Sequence, residues 1–161
     1  MNKPILYILS GLPFSGKSLL TKEVSERTNI EIVSFDALWQ ETAELKPDLT
    51  YEINLLNCKE KIIEILKQGN SAMYDSTNLS QVHREEFRDL AQNNNAQSQV
   101  VFLDVPVEEI LARRAQSLID KTHHVVDDVH FDDALVRIER PVDAIIIKNE
   151  KDKQDFLNSL V

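Results

Sequence analysis

Five short apolar runs punctuate the chain, each bounded by polar or turn-forming residues. Ile5-Leu-Tyr-Ile-Leu9 is apolar at every position and stops at Ser-Gly, the pattern of a strand covered on both faces of a parallel sheet. Segments 31–35, 72–74, 99–103 and 144–147 read the same way, giving five predicted strands. Helical spacing fills the intervals. Segments 17–28, 37–44, 51–68 and 80–93 are predicted helices, and 51–68 carries Leu55, Ile62, Ile65 and Leu66 on its apolar face, with Gly69 as its C′ residue. A further helix is predicted to start with Pro106 at its first position, where Glu108 and Glu109 suit the positive end of the helix dipole; shorter ones cover 132–139 and 151–160. Strands alternating with helices predict an α/β fold, a three-layer, doubly wound parallel sheet in one domain spanning 1–161. Two stretches lack a period, 46–50 and 119–130, and the second is the candidate lid.

Composition narrows the class. The 161 residues include 42% hydrophobic and 28% charged side chains with only 3 Gly and 5 Pro, which excludes a disordered or linker-rich chain. A net charge of −9 argues against non-specific binding to phosphate backbones or anionic lipid, so a long nucleic acid is a poor partner. Cys58 is the single cysteine and cannot close an intrachain disulfide, which favours a reducing compartment. The first apolar run has five residues, short of a signal-peptide core, and no stretch is long enough to span a membrane. The cytoplasm is the expected location.

The chemistry is concentrated after the first strand. Gly11-Leu-Pro-Phe-Ser-Gly-Lys-Ser18 fits GxxxxGK[ST], directly between a predicted strand and a predicted helix. Glycines let the backbone curl so that successive N–H groups face an anion at the positive end of the following helix. Gly11, Phe14, Ser15, Gly16, Lys17, Ser18 and Leu19 are the candidate nucleotide-binding residues; Lys17 would meet the β- and γ-phosphates and the Ser18 hydroxyl would ligate Mg²⁺. Ligands of such sheets sit at the carboxyl ends of the strands, where Asp36, Asp75 and Asp104 follow strands two, three and four. A metal-positioning carboxylate and an acceptor base can come from Asp75 and Asp36; the bland alternative is helix capping, and Asp104, with Pro106 and two Glu behind it, is the most cap-like.

Gly-Leu-Pro-Phe-Ser-Gly-Lys-Ser at 11–18, Ser34-Phe-Asp-Ala-Leu38, Tyr74-Asp-Ser-Thr-Asn-Leu79 with His83-Arg-Glu85, and Val101-Phe-Leu-Asp-Val-Pro106 leading to Leu111-Ala-Arg-Arg114 together cover most of the chain. In these pieces it resembles the polynucleotide-kinase-like and zeta-toxin-like small P-loop kinases, within the nucleoside-kinase-like group. The resemblance implies strand order 2-3-1-4-5, ATP with Mg²⁺, and transfer of the γ-phosphoryl group to a hydroxyl. It implies Asp36 as general base and Asp75 near the metal, and it makes Arg113 the candidate on the nucleotide, with Lys17 and Asp36 completing the catalytic set. Two positions depart from the pattern: Trp39 stands where polynucleotide-kinase relatives usually carry an acceptor-gripping Arg, and Ser117 stands where another Arg is usual. An indole cannot replace a bidentate guanidinium, but it can stack on a ring. The expected acceptor is therefore a small molecule or nucleoside. The alternatives are a nucleotide-binding switch or scaffold without transfer, a polynucleotide 5′-hydroxyl kinase and a plain NTP hydrolase.

His123-His-Val-Val-Asp-Asp-Val-His130 supplies metal-ligand types without metal-ligand spacing, and reads as a polar lid in which His123 or Lys121 can reach phosphate. The charges of 81–89 read as a solvated helix face, with Arg84 the exception suggested by the resemblance. Arg84, Arg88 and Arg137 are the cations that folding could gather into a nucleic-acid groove.

Overall fold

The computed structural model describes residues 2–120 and 128–161. In chain order the elements are β1 (Ile5–Ser10), α1 (Lys17–Arg27), β2 (Glu31–Ser34), α2 (Phe35–Ala43), α3 (Tyr51–Lys67), β3 (Ala72–Asp75), α4 (Gln81–Asn93), β4 (Gln97–Leu103), α5 (Val107–Asp120), α6 (Asp128–Arg137), β5 (Ile145–Ile147) and α7 (Glu150–Ser159). All strand pairings are parallel, in the order β2-β3-β1-β4-β5. Central β1 shows why its sequence is unbroken by polar residues. Leu6 and Ile8 face one layer with Cys58, Ile62, Ile65 and Leu66 of α3 and Phe87 and Ala91 of α4. Tyr7 and Leu9 face the other, with Leu20 and Val24 of α1 and Phe156 and Leu157 of α7. Burying both faces of a period-two element requires apolar residues at every position. A third cluster, Leu12, Ile110, Phe131 and Ala134, packs α5 and α6 over the carboxyl end of the sheet.

Several helix ends follow from side-chain caps. Ser34 accepts from the Ala37 amide at 3.2 Å, so α2 begins at Phe35, which is helix rather than the end of a strand. Gly69 has φ +85°, and the Gly69 and Asn70 amides donate to Leu66 and Ile65, closing α3 with a Schellman turn as predicted. Pro106 sits one position before α5 rather than inside it, its carbonyl accepting from Glu109 and Ile110. Both ends of the 119–130 segment are helical and not aperiodic as predicted: α5 runs through Asp120, and α6 starts at Asp128, ahead of the predicted 132–139 helix. Phe131 explains the early start: it is buried against Leu12 and Ile110, with the Arg114 guanidinium 4.4 Å above its ring. The middle of that segment, with Lys121, His123 and His124, lies outside the described residues.

Candidate functional site

Parallel pairing sets the level of the site. Leu9 pairs with Asp75 and Ser34 also pairs with Asp75, so the carboxyl ends of β1, β2 and β3 line up and the chain segments leaving them meet at one edge. The loop leaving β1 is tied down at its start, where the Gly11 amide donates to the Thr77 carbonyl at 3.1 Å. Asn78, with φ +44°, donates from its buried amide to Leu9 O at 2.6 Å, and its carbonyl accepts from the Ser10 hydroxyl. Asn78 thus locks the loop after β3 onto the end of β1. The loop turns through two left-handed residues, Phe14 at φ +67° and Gly16 at φ +98°, and Gly16 is the N-cap of α1. Left-handed backbone is unusual for an aromatic residue; the Phe14 ring packs edge-on against Phe131 at 6.2 Å, a contact that helps hold the turn.

A polyphosphate fits this cradle. A Cβ on Gly11 would lie 2.7 Å from the Ser15 hydroxyl, so any larger residue there would push that hydroxyl aside. The Ser15 hydroxyl is buried and has no hydrogen-bond partner, an orphaned polar atom inside the loop. Lys17 donates to the carbonyls of Gly11 at 2.9 Å and Leu12 at 2.8 Å. Burial lowers its ammonium to about 8, against the opposing pull of Asp75 and then Asp36, so both carboxylates act electrostatically on the loop lysine. Asp75 is half-buried at the end of β3. Burial pushes its carboxyl up, Lys17 pulls it back and Asp36 adds to the rise. A carboxylate held this way favours a nearby cation, and Asp75 and the exposed Ser18 hydroxyl are the oxygen groups that would hold Mg²⁺ here.

Asp36 lies in the first turn of α2, exposed, and capping does not employ it because Ser34 is the cap. Arg113 reaches from α5 to the loop, donating to Phe14 O at 2.9 Å and to Glu109 at 2.6 Å. Gly11, Phe14, Ser15, Gly16, Lys17, Ser18, Asp75 and Arg113 therefore belong to one region with Asp36 on its β2 side. Leu19 is 54% exposed on α1, its side chain turned to solvent.

Other residues do different work from that expected. Asp104 pairs with Arg140, its Oδ1 accepting at 3.0 Å, instead of capping α5. Arg84 is the exception to the solvated face that the resemblance suggested: it is 3% exposed and donates to the carbonyls of Asn78, Leu79 and Glu139 at 2.8–2.9 Å. Arg88 donates to Asp143 O, pairs with Glu85 and shares with Arg84 the lining of one pocket beside Pro141 and Val142, whereas Arg137 pairs with Asp133 and does not line that pocket. Arg114 is bound to Asp128, and Ser117 is buried with its hydroxyl on the Arg114 carbonyl. Sequence reasoning missed Asn54. Fully buried in α3, it donates to Phe35 O at 3.0 Å and fastens the turn that carries Asp36. The available signal was an amide on the stripe continued by Cys58, Ile62 and Ile65.

An AAA domain family matches residues 6–141. No curated protein matches the chain significantly. Among solved structures, a candidate kinase of Chloroflexus aurantiacus superposes with a TM-score of 0.76 at 16% identity, covering 98% of this chain and 97% of that one. The Mycobacterium tuberculosis APS kinase CysC, solved with AMPPNP and APS, gives 0.70 at 16%, covering 99% and 96%. A chain of the Pnkp1/Rnl/Hen1 RNA repair complex gives 0.70 at 22%, covering 85% of this chain and 44% of that one.

Proposed function

The chain belongs to that AAA domain family, a family of P-loop kinases, and from this premise we propose that it transfers the γ-phosphoryl group of ATP to a hydroxyl of a small molecule or nucleoside. The observation that carries the reading is Asp36. A protein that only held nucleotide would need the loop and its lysine; a carboxylate beside them, free of capping and acting on the same Lys17, suits an acceptor hydroxyl.

In this reading the loop amides and Lys17 hold the β- and γ-phosphates, and the orphaned Ser15 hydroxyl gains a partner. Ser18 and Asp75 would hold Mg²⁺, which neutralises phosphate charge when bound. Asp36 orients the acceptor and takes its proton as the new P–O bond forms and the bond to the β-phosphate oxygen breaks, releasing ADP. Arg113, already at the loop, is placed to meet charge on the transferring group. A small acceptor is supported by the arginines, since Arg84 and Arg88 are committed to backbone carbonyls and Arg137 to Asp133. Buried, unpaired Cys58 suits a cytoplasmic location.

The test is ADP release across a panel of hydroxyl compounds with the parent and Asp36→Asn. The variant should bind Mg·ADP as the parent does and transfer about 10²-fold more slowly or worse, the scale of a lost general base. Equal transfer rates would remove Asp36 from the reaction, and tight, strongly salt-dependent binding of oligonucleotides with phosphate appearing on their 5′ ends would replace the small acceptor by a polynucleotide.

A further inference from the structure

Resting on the kinase reading above, we infer that the acceptor is an alcohol bearing an aromatic ring and no phosphate or carboxylate, and that its ring lies against Trp39. Trp39 follows Asp36 by three residues on α2, so the indole and the carboxylate share one flank of the helix a turn apart. The indole stacks on Phe35 with ring centres 6.4 Å apart and planes 24° from parallel, and Phe35 meets Tyr51 of α3 at 5.1 Å. Asn54, also on α3, fixes the Phe35 carbonyl. These contacts make a shelf of three rings whose inner member is held by the core, while Trp39 is half-buried and Tyr51 is 49% exposed. A ring extending this shelf from Trp39 would carry its hydroxyl toward Asp36 with little loss of side-chain freedom in the protein.

Charge selects the class. From Ser34 to Glu52 the charged side chains are Asp36, Glu41, Glu44, Asp48 and Glu52 against Lys46 alone. Other charged groups act near Tyr51: Glu86, which is paired with Lys59, and Arg137, which is paired with Asp133. Lys61 acts on Cys58, behind the shelf. An acceptor phosphate at Trp39 would face this excess of acids with no uncommitted guanidinium on the shelf, whereas a neutral or cationic ring meets no such barrier.

Trp39 is the only tryptophan, so its fluorescence reports on the shelf directly. The full chain, saturated with Mg·ADP, is titrated with adenosine, cytidine and pyridoxine, then with their monophosphates and with gluconate. At least one phosphate-free ring compound should change the emission saturably, with its monophosphate and gluconate binding about tenfold or more weaker. That compound should be phosphorylated when ATP is supplied. Trp39→Ala should raise its KM about tenfold or more, with Trp39→Phe recovering most of the loss and the Kd for Mg·ADP unmoved in both. The inference is overturned if no phosphate-free ring compound perturbs Trp39, if a monophosphate or gluconate is preferred, or if Trp39→Ala leaves the acceptor KM unchanged. Failure to bind Mg·ADP at all would overturn the kinase reading as well; normal Mg·ADP binding with transfer to a phosphate-bearing acceptor would overturn the inference alone.

Discussion

Filling the loop with nucleotide should draw protons from solution, because burial holds the Lys17 ammonium down at about 8 while a polyphosphate would push it back up. At pH 8 about half of Lys17 is neutral before binding, so each Mg·ADP bound takes up about 0.5 proton, against roughly 0.03 at pH 6.5 and 0.9 at pH 9. The affinity falls accordingly by about an order of magnitude between pH 7 and pH 9. Calorimetry at pH 8 in two buffers of different ionisation heat measures the uptake, and Lys17→Met removes its source. The same residue gives the nucleotide-free protein the opposite pH trend. With its folded value below the unfolded 10.5, Lys17 loses its proton first in the fold, so its contribution to stability rises with pH between about 8 and 10.5 and amounts to about 3 kcal/mol in all. Proton release on binding, or no exchange at pH 8, would refute the burial argument and the placement of phosphate on Lys17 together.

Arg84→Ala should cost about 3–5 kcal/mol in urea unfolding, since it strips a charged donor from three buried-side carbonyls, and Arg84→Lys should recover only part because an ammonium cannot fork to Leu79 and Glu139 together; a cost under about 1 kcal/mol would mean the contacts are idle. Gly11→Ala forces the Ser15 hydroxyl aside and should weaken Mg·ADP binding about tenfold, read by calorimetry, at a stability cost of roughly 1–3 kcal/mol. The Cys58 thiol, buried and pushed up to about 11, should resist a thiol-disulfide reagent in the native protein and react fully in denaturant; rapid native labelling would contradict its burial.

What could be read from the sequence depended on how far apart the cooperating residues lie. The phosphate loop is eight contiguous residues, and β1 announces its two-sided burial within its own span, so both were legible, as was the Gly69 turn. Arg84 was not. Its partners Asn78 and Leu79 are near, but the third, Glu139, is 55 residues away, and on helical spacing alone a buried guanidinium looks like an exposed one. Asp104 was misjudged for the same reason, since Arg140, 36 residues on, competes for it. The start of α2 was a different kind of miss: the Ser34 cap is local, but the β-like Phe35 outweighed it because the contact that suits Phe35 to a helix, the Tyr51 ring, comes from α3.

The placement of β1 has a consequence for how the protein is made. It lies at the centre of the sheet, yet both of its neighbours come from much later in the chain, residues 72–75 and 97–103. Its edge toward β3, and the Asn78 contact with Leu9, cannot form until residues 72–78 have been made, and its edge toward β4 not until 97–103 have followed. During that wait Ile5-Leu-Tyr-Ile-Leu9 is an exposed, charge-free β-forming segment, the kind that chaperones bind and that aggregates seed from. The loop that follows β1 waits with it, because Thr77 and Asn78 are what hold it in place.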